Sequence, residues 1–338
     1  MVIHSKWMQA AGAAFACLSM FALTGCSAPE KPAESGEAKP DATATAGPKP
    51  KIAVSIPTAT HGWTAGVVYW AEKMAKDLAG DADITVVAAE SPQDQATKLE
   101  TMATQGYDAL VVLSFEPAQV TPVIKANRDS FGYIVSVDRG LTEPIADVWL
   151  RGDNKEFGKL AGEFMAEKLG GKGNILVFRG IPSPIDNDRV EGFQGVMKNY
   201  PDIKILDMQH GDWNRDKAFT VAQNLLVKHP QVDAIWASDD DMALGIEKAL
   251  QGAGRDKNIW MVGGAGMKDV VKRIMENDPL YPATVTYSPK MIADAIQRCV
   301  DDLKAGKKST GKQEDVVLPI EIVLPANAEK HYFPDAAY

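Results

Sequence analysis

From residue 51 to residue 262, short apolar, β-branched runs alternate with stretches whose apolar residues recur at helical spacing. Strands are expected at 51–57, 84–88, 108–113 and 133–137, with helices at 64–78, 96–105 and 118–126 between them. The pattern restarts after Asp153. Helices at 157–169, 188–199, 216–228 and 242–253 then alternate with strands at 174–178, 203–209, 233–237 and 258–262. Strands that are apolar on both faces and separated by helices belong in buried parallel sheets. Two segments look equivalent, Tyr107-Asp108-Ala109-Leu110-Val111-Val112 and Val232-Asp233-Ala234-Ile235-Trp236-Ala237. Each carries Asp-Ala ahead of an apolar strand. The fold class is therefore α/β, with two doubly wound parallel-sheet lobes. Ligands of such sheets bind beyond the carboxyl ends of the strands, and two facing lobes put those ends across one cleft.

The segment before residue 51 has a different character. An apolar run from Met8 ends in Leu23-Thr24-Gly25-Cys26, which resembles the lipobox of bacterial lipoproteins. The resemblance implies cleavage of a signal peptide, residues 1–25, and thioether lipidation of Cys26. The apolar run is shorter than the roughly 20 residues that span a bilayer. Cleavage would also remove Cys17 and leave Cys299 alone, at helical spacing, as a small buried residue. Residues 26–50 lack large apolar side chains and are rich in Pro, Ala, Glu and Lys, so they are expected to form a disordered, lipidated tether.

The net charge of −9, from 36 basic and 45 acidic residues, disfavours nucleic acid as a partner. No Walker A loop, Gly-x-Ser-x-Gly elbow or paired metal motif occurs, so the sequence supplies no catalytic constellation. Gly264-Ala265-Gly266 invites a dinucleotide reading, but the third glycine of that fingerprint would fall at Asp269. The run Asp239-Asp240-Asp241 lacks EF-hand spacing, and no metal or cofactor is expected.

The motif Ala237-Ser238-Asp239-Asp240-Asp241-Met242-Ala243-Leu244-Gly245 is similar to the Asn/Asp-Asp-x-Met-Ala-Leu-Gly of ribose-type, or type I, periplasmic sugar-binding proteins. Val137-Asp138-Arg139, Asp188-Arg189-Val190-Glu191-Gly192-Phe193 and Gly211-Asp212-Trp213-Asn214-Arg215 extend the likeness over about residues 51–325. The resemblance implies a monomer that captures a small sugar or polyol between its lobes. It also implies the permease and ATPase subunits of an ABC importer as partners, with the membrane reached through the lipid anchor. A ligand-presenting partner of a sensor or chemoreceptor is the alternative. It further implies three crossings between lobes, near 150–153, 287–289 and Pro319. The first lobe would then be 51–152 plus 288–318, and the second 153–287 plus 319–338.

The chemistry of a sugar agrees with the residues the resemblance selects. Hydroxyls need carboxylate acceptors and Arg donors, and C–H faces need flat aromatic rings. His61 and Trp63, in the loop after the first strand, match positions that give an amide and an aromatic ring to the sugar. Asp138 and Arg139 match a pair that binds hydroxyls, and Arg189 matches the family's ligand arginine. Trp213 matches an aromatic covering the second sugar face, and Asp239 a ligand Asn or Asp. Asp240 or Asp241 is left to cap the following helix, Asp188 to cap the helix at 188–199, and Arg215 to form a salt bridge. Each residue also has a plainer structural use, as a core ring, a turn cap or a solvated charge. Two positions depart from the family: Ala265 stands where a sugar-binding Asp is usual, and Tyr287 where a Gln is. Tyr287 is expected to stack on the ligand or donate one hydrogen bond.

Overall fold

The computed structural model describes residues 48–338. The expected signal peptide, Cys26 and nearly all of the expected tether lie outside the described residues. The first sheet contains β1 (Lys51–Pro57), β2 (Asp83–Ala89), β3 (Ala109–Leu113), β4 (Tyr133–Val137), β5 (Val148–Gly152) and β11 (Glu314–Leu318). Its order is β11-β5-β4-β3-β1-β2, and every pairing is parallel. The second sheet contains β6 (Lys172–Arg179), β7 (Asp202–His210), β8 (Ala234–Ala237), β9 (Trp260–Ala265), β10 (Ala283–Thr286) and β12 (Ile322–Val323). Its order is β12-β10-β9-β8-β6-β7, with only β12 antiparallel. The first five strands of each lobe thus follow one plan, with the order reversing between β1 and β3 and between β6 and β8. Crevices for ligands open at those reversals, outside the carboxyl ends of the strands.

Helices α1 (Gly62–Asp77), α2 (Pro92–Ala103) and α3 (Pro117–Ala126) alternate with the strands of the first lobe. Helices α4 (Asn154–Lys168), α5 (Pro184–Met197), α6 (Arg215–Lys228), α7 (Asp240–Gly252) and α8 (Lys268–Met275) do so in the second. The last helix, α9 (Met291–Lys304), returns to pack against α1 and β4. The chain therefore changes sheets three times: between β5 and α4, between β10 and α9, and between β11 and β12.

The helix starts depart from the sequence expectation for a common reason. α2 and α5 each begin four residues early because a serine caps a Pro-led first turn. Ser91 accepts from the Asp94 amide and Ser183 from the Asp186 amide. Asp188, expected as a cap, therefore lies inside α5. β5, α8, β10, β11 and β12 were not anticipated as elements.

Within the second lobe, α4 and α5 approach backbone to backbone. A Cβ at Gly158 would lie 1.7 Å from the Arg189 carbonyl, and one at Gly192 2.0 Å from the Lys155 carbonyl. This contact sets where α5 holds Arg189. Behind it, Phe193 stacks on Trp236 with centroids 4.2 Å apart. Overpacking such a contact costs about 1–3 kcal/mol or more. Gly158→Ala should therefore lower the melting temperature by several degrees. Gly195→Ala, on the same α5 but facing open space, should be neutral or stabilising by roughly 0.5–1 kcal/mol. Thermal melts giving equal shifts for the two variants would contradict this packing.

Candidate functional site

The carboxyl ends of both sheets converge on one cavity of about 360 Å³ of free space, its mouth included. It is lined by His61, Trp63, Asp138, Arg139, Ile185, Arg189, Trp213, Asp239, Ala265 and Tyr287. All eight residues singled out in the sequence thus come together, with Ile185 and Ala265 beside them.

Three of the lining residues are held in the left-handed region just as their strands end: Asp138 (φ 56°), Trp213 (φ 52°) and Ala265 (φ 81°). Non-glycine residues enter this region at a cost of about 1–3 kcal/mol, so the surroundings must enforce it. Around Asp138 they do. Its amide donates to the Leu150 carbonyl at 2.9 Å and its carbonyl accepts from Trp149 Nε1 at 3.1 Å. The sharp reversal turns each side chain inward instead of along the strand.

Arg189 is almost fully buried. Its Nε donates to Asn154 Oδ1 and its Nη1 to the Ser238 carbonyl, both at 2.9 Å. The guanidinium lies 4.0 Å from the centre of the Phe157 ring and 4.6 Å from that of Tyr287, which orients it further. Arg139 donates to the Phe115 carbonyl at 2.6 Å and stands 3.8 Å from Asp138. Each lobe thus brings one arginine and one carboxyl group to the cavity, donors and acceptors for a polar guest.

Tyr287 narrows its expectation to stacking. Its hydroxyl donates to Asp138 Oδ1 at 2.6 Å and accepts from Asn154 Nδ2 at 3.3 Å. That proton is engaged inside the protein, so the ring is what Tyr287 presents to the cavity. Asp239 corrects another. It is itself the cap of α7, with Oδ1 accepting from the Asp241 amide at 2.8 Å and the Met242 amide at 3.3 Å. Its neighbours have other partners. Asp240 accepts from the Gly264 and Met267 amides and from Thr284, while Asp241 accepts from Arg215 and from the Gly62 amide of the first lobe. Capping goes to Asp239 because it is the residue in the extended conformation before the first turn. Arg215 forms the expected ion pair, and Cys299 is fully buried.

Two polar atoms of the site are buried without partners, His61 Nδ1 and Trp213 Nε1. Their rings face each other from opposite lobes at 6.5 Å. Buried polar atoms are normally bonded, so unpaired ones lining a cavity point to a guest that supplies the partner. Burial, with Arg139 adding and Asp241 opposing, lowers the His61 pKa to about 4, so the ring is neutral at pH 7. Ile185 and Asn154, which complete the wall and hold Arg189, carried no local sequence signal.

With this geometry in place, comparison with known proteins is decisive. Residues 52–308 match the family described as periplasmic binding protein domain. The chain belongs to that family. The ribose import binding protein of Bacillus subtilis is 28% identical over 320 residues, covering 93% of this chain and 99% of that one. A xylitol-binding protein of Mycolicibacterium smegmatis is 29% identical over 237 residues, 69% of this chain and 64% of that one. Among solved structures, an ABC transporter solute-binding protein from Mycobacterium smegmatis with bound glycerol is 28% identical. Its TM-score is 0.73, over 84% of this chain and 96% of that one.

The neutral His61 generates a pH prediction. Below about pH 6.5 the unfolded ring takes up a proton that the folded ring refuses until about pH 4. Stability therefore falls as pH falls through that window. Replacing His61 with Gln should flatten the loss between pH 7 and 4.5 by roughly 1–3 kcal/mol. Denaturant titrations in which the variant and the parent fall in parallel would contradict a buried, neutral His61.

Proposed function

We propose that this protein captures a small sugar or polyol in the cavity between its lobes and delivers it to an ABC importer. The observation that carries this reading is the composition of that cavity. Two Asp–Arg sets, two indoles, a tyrosine ring and two unpartnered polar atoms converge from opposite lobes. Hydroxyls would bond Asp138, Arg139, Arg189 and Asp239, and C–H faces would lie between Trp63 and Trp213. Two arginines against at most two carboxylates, one on each lobe beside its arginine, together with the indole rings, favour a polyhydroxylated ligand with apolar C–H faces. Ala265 and the internally bonded Tyr287 leave fewer polar contacts than the ribose pattern, which favours a sugar with fewer hydroxyls or a polyol. The import role draws support from relatives whose names are those of import binding proteins, and nothing in the cavity favours the sensor alternative. In this reading Cys26 carries the lipid that keeps the protein beside its permease, outside the cytoplasm.

A thermal-shift screen over sugars and polyols tests the ligand class. A true ligand at one hundred times its Kd stabilises the native state by about 2.7 kcal/mol. Arg189→Ala should then weaken binding at least tenfold, since losing a bond to a charged group costs about 1.5–3 kcal/mol, and Trp213→Ala should do so as well through the lost ring contact with the sugar face. Calorimetry showing unchanged affinity in both variants would remove these residues from the site. For the anchor, Cys26→Ser should accumulate as an unprocessed precursor without lipid. The same lipid-free mature N-terminus in both forms, by mass spectrometry, would exclude lipidation.

A further inference from the structure

Residues 333–338 leave the second lobe and cross the flank of the cleft. Lys268, on α8, donates to the carbonyls of Ala336 and Pro334 at 2.5 and 3.4 Å. The Phe333 ring meets Trp70 of α1 edge-on, at 5.5 Å between centroids. Tyr338 is buried in a groove on α1 that two glycines, four residues apart, keep open. A Cβ at Gly62 would lie 3.0 Å from the Tyr338 ring, and one at Gly66 2.9 Å from Tyr338 Cβ. From that groove the Tyr338 hydroxyl donates to Asp239 Oδ2 at 3.0 Å. The segment is thus a strap that rests on the first lobe and ends on a residue lining the cavity in the second.

We propose that Tyr338 is a positioning residue of the ligand site, whose hydroxyl holds the Asp239 carboxylate as a fixed acceptor for a ligand hydroxyl. The proposal rests on the sugar or polyol reading above. Oδ1 is already taken by the two amides of α7, so Oδ2 is the oxygen left to reach a guest. A carboxylate oxygen has room for about two donors, so Tyr338 can fix Oδ2 and leave one direction open. The surrounding charges make this hold consequential. Burial and Asp241 raise the Asp239 pKa to about 7, while the Tyr338 hydroxyl, the Met242 amide and Arg189 act against them. The groups facing Asp239 are Asp240 and Asp241 on α7, Arg189 on α5 and Tyr338 on the strap, with neutral His61 across the cleft and Arg215 paired to Asp241. Tyr338 stays a donor throughout, because burial and the three aspartates push its own pKa well up.

Tyr338→Phe in the full chain tests this, since it keeps the ring in its groove and removes only the hydroxyl. Carbon-13 NMR of the Asp239 carboxyl, without ligand, should show its midpoint rising by about one unit or more. Calorimetry with ribose, xylitol, myo-inositol and glycerol from pH 6 to pH 9 should show the best binder losing about fivefold at pH 7 and recovering by pH 9. In an Asp239→Asn background the same change should have no further effect on affinity. An unmoved Asp239 midpoint, or a loss of equal size at every pH, would overturn the role of Tyr338. If the parent binds none of the four probes, the failure belongs to the ligand reading, and the NMR midpoint still decides whether Tyr338 holds Asp239.

Discussion

The buried Tyr287 is the node on which the rest of the cleft depends. Its carbonyl accepts from Trp63 Nε1 at 2.8 Å, and its hydroxyl donates to Asp138, tying it twice to the first lobe. The same hydroxyl accepts from Asn154, and its ring lies under Arg189, tying it to the second. It sits one residue past β10, where the chain leaves the second sheet for the first. Tyr287 thus touches Trp63 and Asp138 of the first lobe and Asn154 and Arg189 of the second. A glutamine there would place an amide toward the cavity. The tyrosine presents a ring instead and keeps its proton inside the protein.

The second constraint is electrostatic. Asp138, Asp239, Arg139 and Arg189 share one small cavity. Burying such charges is tolerable only when each is paired and hydrogen-bonded. Arg189 has Asn154 and Ser238, and Arg139 has Phe115 and Asp138. Asp239 is held at both oxygens. Because protein groups hold these charges in place, a guest's hydroxyls meet donors and acceptors that are already oriented, which reduces the ordering cost of binding.

The parallel-sheet plan was legible because buried strands are apolar on both faces and stand out against amphipathic helices. The elements that escaped lack that contrast. β5 alternates buried and half-buried residues and includes Arg151, while β11 is an edge strand with exposed Glu314 and Asp315. β10 has four residues and β12 two, too few for a period to show. The eight residues selected by the family resemblance were legible through the motifs that carry it, with Tyr287 located only by its correspondence to a family Gln, and the cavity gathers them all. Their bonds were not legible. Tyr287 reaches Asp138 across 149 positions and Tyr338 reaches Asp239 across 99. No local pattern encodes such pairs.

The central claim is that a guest must touch both lobes at once: His61, Trp63, Asp138 and Arg139 on one side, Arg189, Trp213 and Asp239 on the other. Full contact is available only when the lobes are together, so binding should shift the population toward closure. Small-angle X-ray scattering on the full chain, with and without the sugar or polyol that stabilises it most, measures this directly. The account predicts a smaller radius of gyration with ligand. An unchanged radius at saturating ligand would contradict it and leave a preformed pocket within one lobe.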